Sequence, residues 1–303
     1  MINSLRTISS SRGGLYIPTF TQRTSGFGAS NIQYAASGSD GYWVTVSSDG
    51  KLFYATDPTG TWTQGTTNLA SDNITAVYHD GTYWVMCNTI GEIWYSADPT
   101  AANWTEVDSA SGGTTLNSLH YGSDGYWVAS GGLGKICYET DPTADPWTLD
   151  DGAGSTRYRV FYNGSHWVAV GYQGLMYTAT DPSGTWTSRT SSFGSSSIFG
   201  INWDGTYWLA CGEGGKLATA TDPTGTWTQR TSGVASTIYD IEYAAGIWIY
   251  VGNSGVMRWA TDPTSTWTSM TSSFGATSIR HIIYGDDNIW VATGLAGKLA
   301  TGE

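Results

Sequence analysis

Side chains suited to ligand binding recur at comparable places in the second half of this chain. They carry aromatic, guanidinium, imidazole and carboxylate groups: Tyr158, Arg159, Tyr172, Tyr239, Asp240, Arg280 and His281. Aromatic faces beside planar polar groups suit sugars or peptide side chains. Arginine adds a planar fork that pairs with a carboxylate or stacks on an aromatic ring. We therefore expect these residues to form a ligand site, provided that the fold brings them together.

No sequence motif for a chemical reaction accompanies these residues. The chain lacks a nucleophile elbow, a phosphate-binding glycine loop and a His-Glu-x-x-His zinc motif. Its three cysteines, Cys87, Cys137 and Cys211, have no metal-ligand spacing, and its four histidines are scattered. We therefore expect no metal, no cofactor and no catalytic residue. Glycoside hydrolysis by two carboxylates about 5–10 Å apart stays open as the alternative.

Charge limits the classes of partner. The 303 residues include 25 acidic and 13 basic ones, for a net charge of −12. Nucleic-acid binding requires basic patches, and anionic lipid also attracts basic segments, so neither partner is expected. No apolar run approaches the roughly 18 residues of a membrane-spanning helix. The first 17 residues also lack the apolar core of a secretory signal.

The elements that position the candidate residues are set by an internal repeat. A tryptophan recurs at intervals of 40 to 43 residues, at Trp43, Trp84, Trp127, Trp167, Trp208, Trp248 and Trp290. A glycine follows each one seven residues later. Each unit contains four short β-branched and aromatic segments separated by Gly and Asp turns, which predicts four strands and little helix. Repeats of this length and content are typical of β-propeller blades.

The chain begins and ends in the middle of a repeat. Residues 20–28, "FTQRTSGFG", match residues 227–235, "WTQRTSGVA", whereas the last unit stops before its fourth segment. Seven full units therefore form only if the N-terminal segment completes the last one. We predict an all-β, seven-bladed β-propeller of four antiparallel strands per blade, closed by the N-terminal strand as the outermost strand of the last blade. Residues 18–303 form this domain, and residues 1–17 form an arm or a disordered extension.

The candidate residues stand where the repeats differ most. Six of them lie at the start of the first strands of units four, six and seven, whereas units two and three carry Thr75, Ala76, Asn117 and Ser118 there. First-strand starts and the loops between second and third strands share one face of a propeller. We therefore expect the seven candidates to lie at the channel mouth. We also expect Arg159 and Arg280 to be replaceable without loss of folding.

The turn that ends the third segment of each unit carries a recognisable motif. Residues 55–62, "ATDPTGTW", resemble the Asp-box of the sialidase-type (BNR) propellers, although glycine comes one position late and alanine replaces Ser/Thr. In that family the Asp caps a turn between the third and fourth strands, and the Trp packs between blades. The resemblance implies a structural role for six pairs: Asp57 and Trp62, Asp98 and Trp104, Asp141 and Trp147, Asp181 and Trp186, Asp222 and Trp227, and Asp262 and Trp267.

The repeated "ATDPTGTWTQRTS" segments also resemble propellers of tailed-bacteriophage tail and receptor-binding proteins. This resemblance implies a non-enzymatic virion protein, made in the host cytoplasm, that contacts a host-surface glycan or protein. Its partners would include other tail subunits, reached through residues 1–17 or the blade rims. A sialidase-like glycoside hydrolase or a polysaccharide-degrading enzyme is the alternative. A third possibility is similarity to the propellers that assist photosystem II assembly.

Overall fold

The computed structural model describes residues 15–66, 72–152 and 154–303. These residues form seven sheets, each of four antiparallel strands. Blade 1 consists of β2 (Ile32–Ser37), β3 (Trp43–Ser47), β4 (Leu52–Ala55) and β5 (Thr63–Gln64). Blade 2 consists of β6 (Ile74–His79), β7 (Trp84–Asn88), β8 (Ile93–Ser96) and β9 (Thr105–Val107). Blade 3 consists of β10 (Leu116–Tyr121), β11 (Trp127–Gly131), β12 (Ile136–Glu139) and β13 (Thr148–Asp150).

The remaining blades repeat this order. Blade 4 consists of β14 (Arg157–Tyr162), β15 (Trp167–Gly171), β16 (Met176–Ala179) and β17 (Thr187–Ser188). Blade 5 consists of β18 (Ile198–Trp203), β19 (Trp208–Gly212), β20 (Leu217–Ala220) and β21 (Thr228–Arg230). Blade 6 consists of β22 (Ile238–Ala244), β23 (Ile247–Gly252), β24 (Met257–Ala260) and β25 (Thr268–Ser269). Blade 7 consists of β26 (Ile279–Tyr284), β27 (Trp290–Gly294), β28 (Leu299–Gly302) and the N-terminal β1 (Phe20–Arg23).

Ring closure follows the prediction. The N-terminal strand β1 pairs antiparallel with β28, with Phe20 opposite Gly302 and Arg23 opposite Leu299. Phe20 is buried in the core of blades 6 and 7, and Arg23 forms an ion pair of 2.8 Å with Glu303. The seven-bladed propeller with its closing N-terminal strand is therefore confirmed. Because both ends of the chain share one sheet, the last blade is held by pairing across the whole sequence.

Packing between blades explains the repeated residues. The seven second-strand tryptophans are all buried, and the core consists of clusters that each join neighbouring blades. The repeat glycine that follows each second strand has φ between 65° and 84°, a region that L side chains rarely adopt. At one of them, Gly255, an added Cβ would lie 1.9 Å from the Gly275 carbonyl oxygen. Glycine is thus needed for backbone conformation and for close approach of the next loop.

Helix is limited, as expected. The described residues contain four single-turn 3-10 segments, which follow the second strands of blades 3 to 6: Gly132–Gly134, Tyr172–Gly174, Glu213–Gly215 and Asn253–Gly255. None of the described helical segments is long and apolar enough to span a membrane. The predicted N-terminal arm falls mostly on residues 1–14, which lie outside the described residues. Of its last three residues, Leu15 and Tyr16 are exposed, and Ile17 packs against the core of blade 7.

Candidate functional site

The second residue of each innermost strand contributes to a ring of partly buried side chains, here called the mouth ring. Its members are Gln33, Thr75, Asn117, Tyr158, Phe199, Tyr239 and Arg280. Each innermost strand has a register shift at this residue, because the first and third residues pair with consecutive residues of the next strand. The bulge leaves the second residue unpaired, so its side chain is free to differ between blades.

The mouth ring has two chemically different halves. In blades 2 and 3 the side chains bond to neighbouring backbone: Thr75 Oγ1 donates to the Leu116 carbonyl at 2.6 Å, and Asn117 Nδ2 donates to the Arg157 carbonyl at 2.9 Å. These two polar groups are thus committed to joining blades. They therefore leave fewer free polar groups for a ligand than the side chains of blades 4 to 7 do.

Four side chains from blades 4 to 7 form a continuous stack, here called the aromatic arc: Tyr158, Phe199, Tyr239 and Arg280. Ring centroids are 5.1 Å apart for the first pair and 5.8 Å for the second. The Arg280 guanidinium lies 4.2 Å from the Tyr239 ring centroid, a cation–π contact. Within the described residues, Arg280 Nε has no hydrogen-bond partner. The arc therefore presents aromatic faces and the partly exposed guanidinium of Arg280, whose Nε is itself buried.

Tyr172 extends the arc outward. It lies in the 3-10 segment of blade 4 and is 45% exposed. Burial raises the pKa of Tyr158, and the proximity of Tyr172 and Glu213 raises it further. The loop side chains that the sequence assigned to this face thus lie near the aromatic arc.

Three other predicted residues lie deeper, inside the channel. Arg159 of blade 4 reaches past blade 5 and forms an ion pair through Nη2 with Asp240 of blade 6. Blade 5 carries Gly200 at the corresponding position, and a Cβ there would meet Cys211 Sγ at 2.7 Å and Asp240 Cα at 3.2 Å. A glycine thus makes room beside Asp240. Since the bonded side chains belong to non-adjacent blades, they bridge the channel below the mouth ring.

His281 and Tyr34 complete this bridge. His281 lies between Asp240 Oδ2, at 2.5 Å from Nδ1, and the Ala35 carbonyl, at 3.0 Å from Nε2. Tyr34 stacks on the His281 ring with centroids 3.7 Å apart, and the Arg159 guanidinium lies 5.1 Å from the Tyr34 ring. Burial lowers the pKa of His281, and the Asp240 carboxylate opposes that shift. Side chains from blades 1, 4, 6 and 7 therefore contact one another here.

Two carboxyl groups of β22 have opposite environments. Burial works against ionisation of Asp240, but Arg159 and His281 outweigh it and lower its pKa. Two residues on, burial raises the pKa of Glu242 to about 8, and the charge of Asp240 adds to this. Asn202 Nδ2 donates to Glu242 at 2.7 Å. We call Tyr34, Arg159, Asp240, Glu242 and His281 the channel cluster.

The structure thus divides the predicted site into two layers. Tyr158, Tyr172, Tyr239 and Arg280 lie at the mouth, whereas Arg159, Asp240 and His281 belong to the channel cluster beneath it. Asp240 and His281 are 2% and 3% exposed, respectively, so neither is open to a ligand as it stands. Arg159 was expected to be replaceable without loss of folding, but it is the main counter-charge of the buried Asp240, so we now expect its removal to lower stability.

In all six Asp-Pro turns that follow the third strands, the aspartate carboxylate accepts from the hydroxyl residue two positions on. In the first, Asp57 Oδ1 accepts from Thr59 N at 2.8 Å and from Thr59 Oγ1 at 2.7 Å, and Trp62 Nε1 donates to the Pro58 carbonyl at 3.2 Å. The equivalent carboxylates of the other five turns accept from Thr100, Thr143, Ser183, Thr224 and Thr264. All six turn tryptophans are buried. These contacts support a structural role for the turns.

A second aspartate series, which the sequence analysis missed, links neighbouring blades. Each lies in the turn between first and second strands and accepts from the buried tryptophan of the next blade. The clearest pairs are Trp84 Nε1 to Asp40 at 2.7 Å and Trp167 Nε1 to Asp124 at 2.7 Å. Asp80, Asp204 and Asp287 do the same for Trp127, Trp248 and Trp43. The recurring "DG" before the Trp was the available signal.

Within the described residues, no group of three or more His, Cys, Asp or Glu side chains could hold a metal ion. The three cysteines are buried and free. Burial raises the pKa of Cys87 and Cys137 to about 12, so neither thiol is ionised at neutral pH.

Comparisons with known proteins extend the description of the fold. No protein-family model and no curated protein matches the chain. Among solved structures it resembles "YCF48 bound to D1 peptide", with a TM-score of 0.76 and 17% identity, over 94% of this chain and 97% of that one. It also resembles YCF48 from Cyanidioschyzon merolae, with a TM-score of 0.76 and 14% identity over 93% of this chain and 98% of that one. The WD40 propeller domain of Doa1 has a TM-score of 0.77 and 10% identity over 93% of this chain and 97% of that one. At these identities the likeness shows the propeller fold alone.

Proposed function

We propose that this chain is a non-enzymatic binding propeller that takes a segment of a partner protein at its channel mouth. The observation that carries the proposal is the aromatic arc with Arg280 stacked on Tyr239 and its Nε unpaired. Aromatic faces bind apolar side chains, and the partly exposed guanidinium of Arg280, which has no ion-pair partner among the described residues, favours an acidic group in the same segment. One structural neighbour, YCF48, was solved bound to a D1 peptide, which supports a peptide as the class of ligand.

The setting of this activity is a finer proposal. We propose a virion location in a phage tail, with a host-surface protein or glycan as the target, from the resemblance of the repeats. Residues 1–17 or the blade rims would then contact other tail subunits. The distinguishing observation is where the protein is found, since fractionated virions would contain it and host cytosol after lysis would not.

The enzymatic alternative rests on Asp240 and Glu242, whose pKa values are pushed apart as in a glycosidase pair. Both Asp240 oxygens are already bonded, one to Arg159 and the other to His281 and the Ile282 amide. A carboxylate that is 2% exposed and bonded through both oxygens is poorly placed to act on a substrate as nucleophile or base. The geometry therefore favours a binding module over a hydrolase.

A peptide array and a glycan array, screened in parallel with a hydrolysis assay, test the proposal. We expect saturable binding to peptides that combine an acidic with an aromatic or aliphatic residue, and no sugar release. Binding to glycans alone would replace the protein ligand by a sugar at the same mouth. Release of sugar that is abolished in Glu242→Gln would contradict a non-enzymatic role.

A further inference from the structure

A buried arginine occupies an apolar position between blades 3 and 4. The first residue of the innermost strand is Ile or Leu in six blades: Ile32, Ile74, Leu116, Ile198, Ile238 and Ile279. Each is fully buried. Blade 4 carries Arg157 there, and this residue is only 1% exposed. A charge at this depth costs free energy unless it is paired.

Arg157 has no such pair in the described part of the chain. Its Nε and Nη1 are buried without a hydrogen-bond partner, and no described carboxylate comes within 4 Å of its guanidinium. The guanidinium packs 5.0 Å from the Tyr177 ring centroid. Asp150 lies near enough to favour the charge, but it does not form an ion pair with it. Among the described residues the charge therefore has no anionic partner.

The loop before Arg157 lacks the aromatic residue that fills the corresponding space in some other blades. Before blades 1, 5 and 7 the preceding loop inserts a buried ring, Phe27, Phe193 or Phe274, and Phe27 packs 4.2 Å from Phe53. Phe53 and Tyr177 occupy the same third-strand position, three residues after the repeat glycine. The loop before Arg157 reads "DGAGS" over residues 151–155 and has no large apolar residue. Arg157 thus packs on Tyr177 where Phe27 packs on Phe53.

A cavity of about 300 Å³ remains at this junction, lined by Asp150, Gly152, Arg157, Tyr177, Thr185 and Trp186. Thr185 is exposed and lies at the opening, whereas the two aromatic side chains form apolar walls. Asp150 at the cavity repels a second negative charge, which disfavours phosphate dianions. A single carboxylate on a short apolar stem fits the positive group, the apolar walls and the volume.

We propose that the cavity between blades 3 and 4 is a binding site for a carboxylate group, held by Arg157. The site is separate from the channel mouth, so it does not depend on the function proposed above. A carboxylate here would accept hydrogen bonds from Arg157 and link blades 3 and 4. The ligand class is a small monocarboxylate or the acidic side chain of a polypeptide.

Thermal unfolding in the presence of N-acetylglutamate amide, butyrate, sodium phosphate or sodium chloride at matched ionic strength tests the proposal. We expect both carboxylates to raise the melting temperature by about 3 °C and the rise to saturate. Mass action predicts a rise of this size when the ligand concentration is well above the Kd. The matched variant is Arg157→Ile, which restores the residue of the sister blades and should show no such rise. Arg230→Ile removes the same charge from blade 5, where Arg230 bonds to Thr219, and should respond as the parent does.

Equal responses of the parent and Arg157→Ile would overturn the site. A rise with phosphate or chloride as large as the rise with the carboxylates would overturn the selectivity of the site for carboxylates. Ligand-observed saturation-transfer NMR of butyrate with the parent protein gives an independent answer even if Arg157→Ile fails to fold. Absence of transfer to the butyrate methyl protons would contradict the proposal, and transfer that N-acetylglutamate amide displaces would support it.

Discussion

At the scale of single residues, the channel cluster ties protonation to folding. The folded-state pKa of Glu242 is about 8, against an ordinary value near 4.5. Between these values the unfolded chain has lost this proton and the folded chain retains it, so stability falls as pH rises, by up to about 1.4 kcal/mol per pH unit. Above the folded pKa this dependence ends. The glutamate is therefore a destabilising group at neutral pH.

Replacement of Glu242 by Gln should remove this dependence. The amide is neutral at every pH, and its oxygen can still accept from Asn202. We expect the stability difference between Glu242→Gln and the parent to widen from pH 5 to pH 8 in favour of the variant. Urea unfolding at each pH measures it, and subtraction cancels the other titrating groups. A difference that stays constant over this range would show that Glu242 ionises normally in the folded protein.

Replacement of Arg159 should destabilise the protein, whereas replacement of Glu242 should stabilise it at neutral pH. The charge of Arg159 is the counter-ion of a buried carboxylate, and removal of one partner of such a pair typically costs about 3–5 kcal/mol. We expect Arg159→Ala to lower the free energy of unfolding by that amount, measured by urea denaturation. Arg280→Ala, at the mouth and without an ion-pair partner among the described residues, is the matched control and should lose far less. Similar stability for the two variants would contradict the division into two layers.

The residue types of the site were predictable, but their depth was not. Differences between blades identified Tyr158, Tyr239 and Arg280, because framework positions repeat and ligand positions need not. The same comparison also selected Asp240 and His281, which bond to each other between adjacent blades inside the channel. Alternation along a strand indicates a shared face, but a sequence does not show that Gly200 leaves room beside Asp240. Glu242 was missed because its unusual pKa arises from that enclosure.

At the scale of single elements, the blade junctions differ in one hydrogen bond. In blade 4 the turn residue is Asn163, whose Oδ1 accepts from Ser165 and His166, and Trp208 Nε1 of the next blade is buried without a partner. Blade 5 has Asp204 at the matching place, with one oxygen on the turn and the other on Trp248. The Asn amide cannot accept from the indole through its nitrogen.

We therefore expect Asn163→Asp to stabilise the protein. The second carboxylate oxygen would accept from Trp208 Nε1, and a hydrogen bond that satisfies a buried donor is worth about 1 kcal/mol or more. Differential scanning calorimetry should show a rise of about 2–4 °C in melting temperature. Asp204→Asn is the reverse change at the next junction and should lower it by a similar amount. An unchanged or lower melting temperature for Asn163→Asp would refute this explanation of the aspartate series.

The closing strand β1 is the element on which ring formation depends. Phe20 is 3% exposed against the core of blades 6 and 7. Its truncation to Ala should cost about 3–5 kcal/mol, as for other buried aromatic residues. Chemical denaturation should show this loss in a single transition of the whole ring. Unfolding like that of the parent would contradict closure by β1.

Element boundaries followed closely from the sequence, because turn residues mark each strand. In blade 2 the strands Ile74–His79, Trp84–Asn88, Ile93–Ser96 and Thr105–Val107 are the four β-branched and aromatic segments that lie between the Gly and Asp turns of that unit. The bulge at the second residue of each innermost strand could not be predicted. It depends on pairing with the neighbouring strand, which leaves no mark in composition.

At the scale of the whole molecule, the seven blades are a framework that presents one uneven face. The repeat accounts for closure, for the buried tryptophans and for the Asp-box turns. Departures from it concentrate in blades 4 to 7, where the aromatic arc lies over the channel cluster. The cluster bridges blades that are not neighbours, so the arc is held on a rigid base. A preformed surface of this kind loses little entropy when a ligand binds.

The central claim is that the aromatic arc is the ligand site, and the most direct measurement compares the affinity of three variants for a ligand found on the arrays. Isothermal titration should show that Tyr239→Ala and Arg280→Ala each weaken binding by about 10- to 150-fold, the equivalent of 1.5–3 kcal/mol. Gln33→Ala, at the same ring position in blade 1, should bind as the parent does. Circular dichroism must show all three folded. Equal affinities for the parent, Tyr239→Ala and Arg280→Ala would contradict the claim.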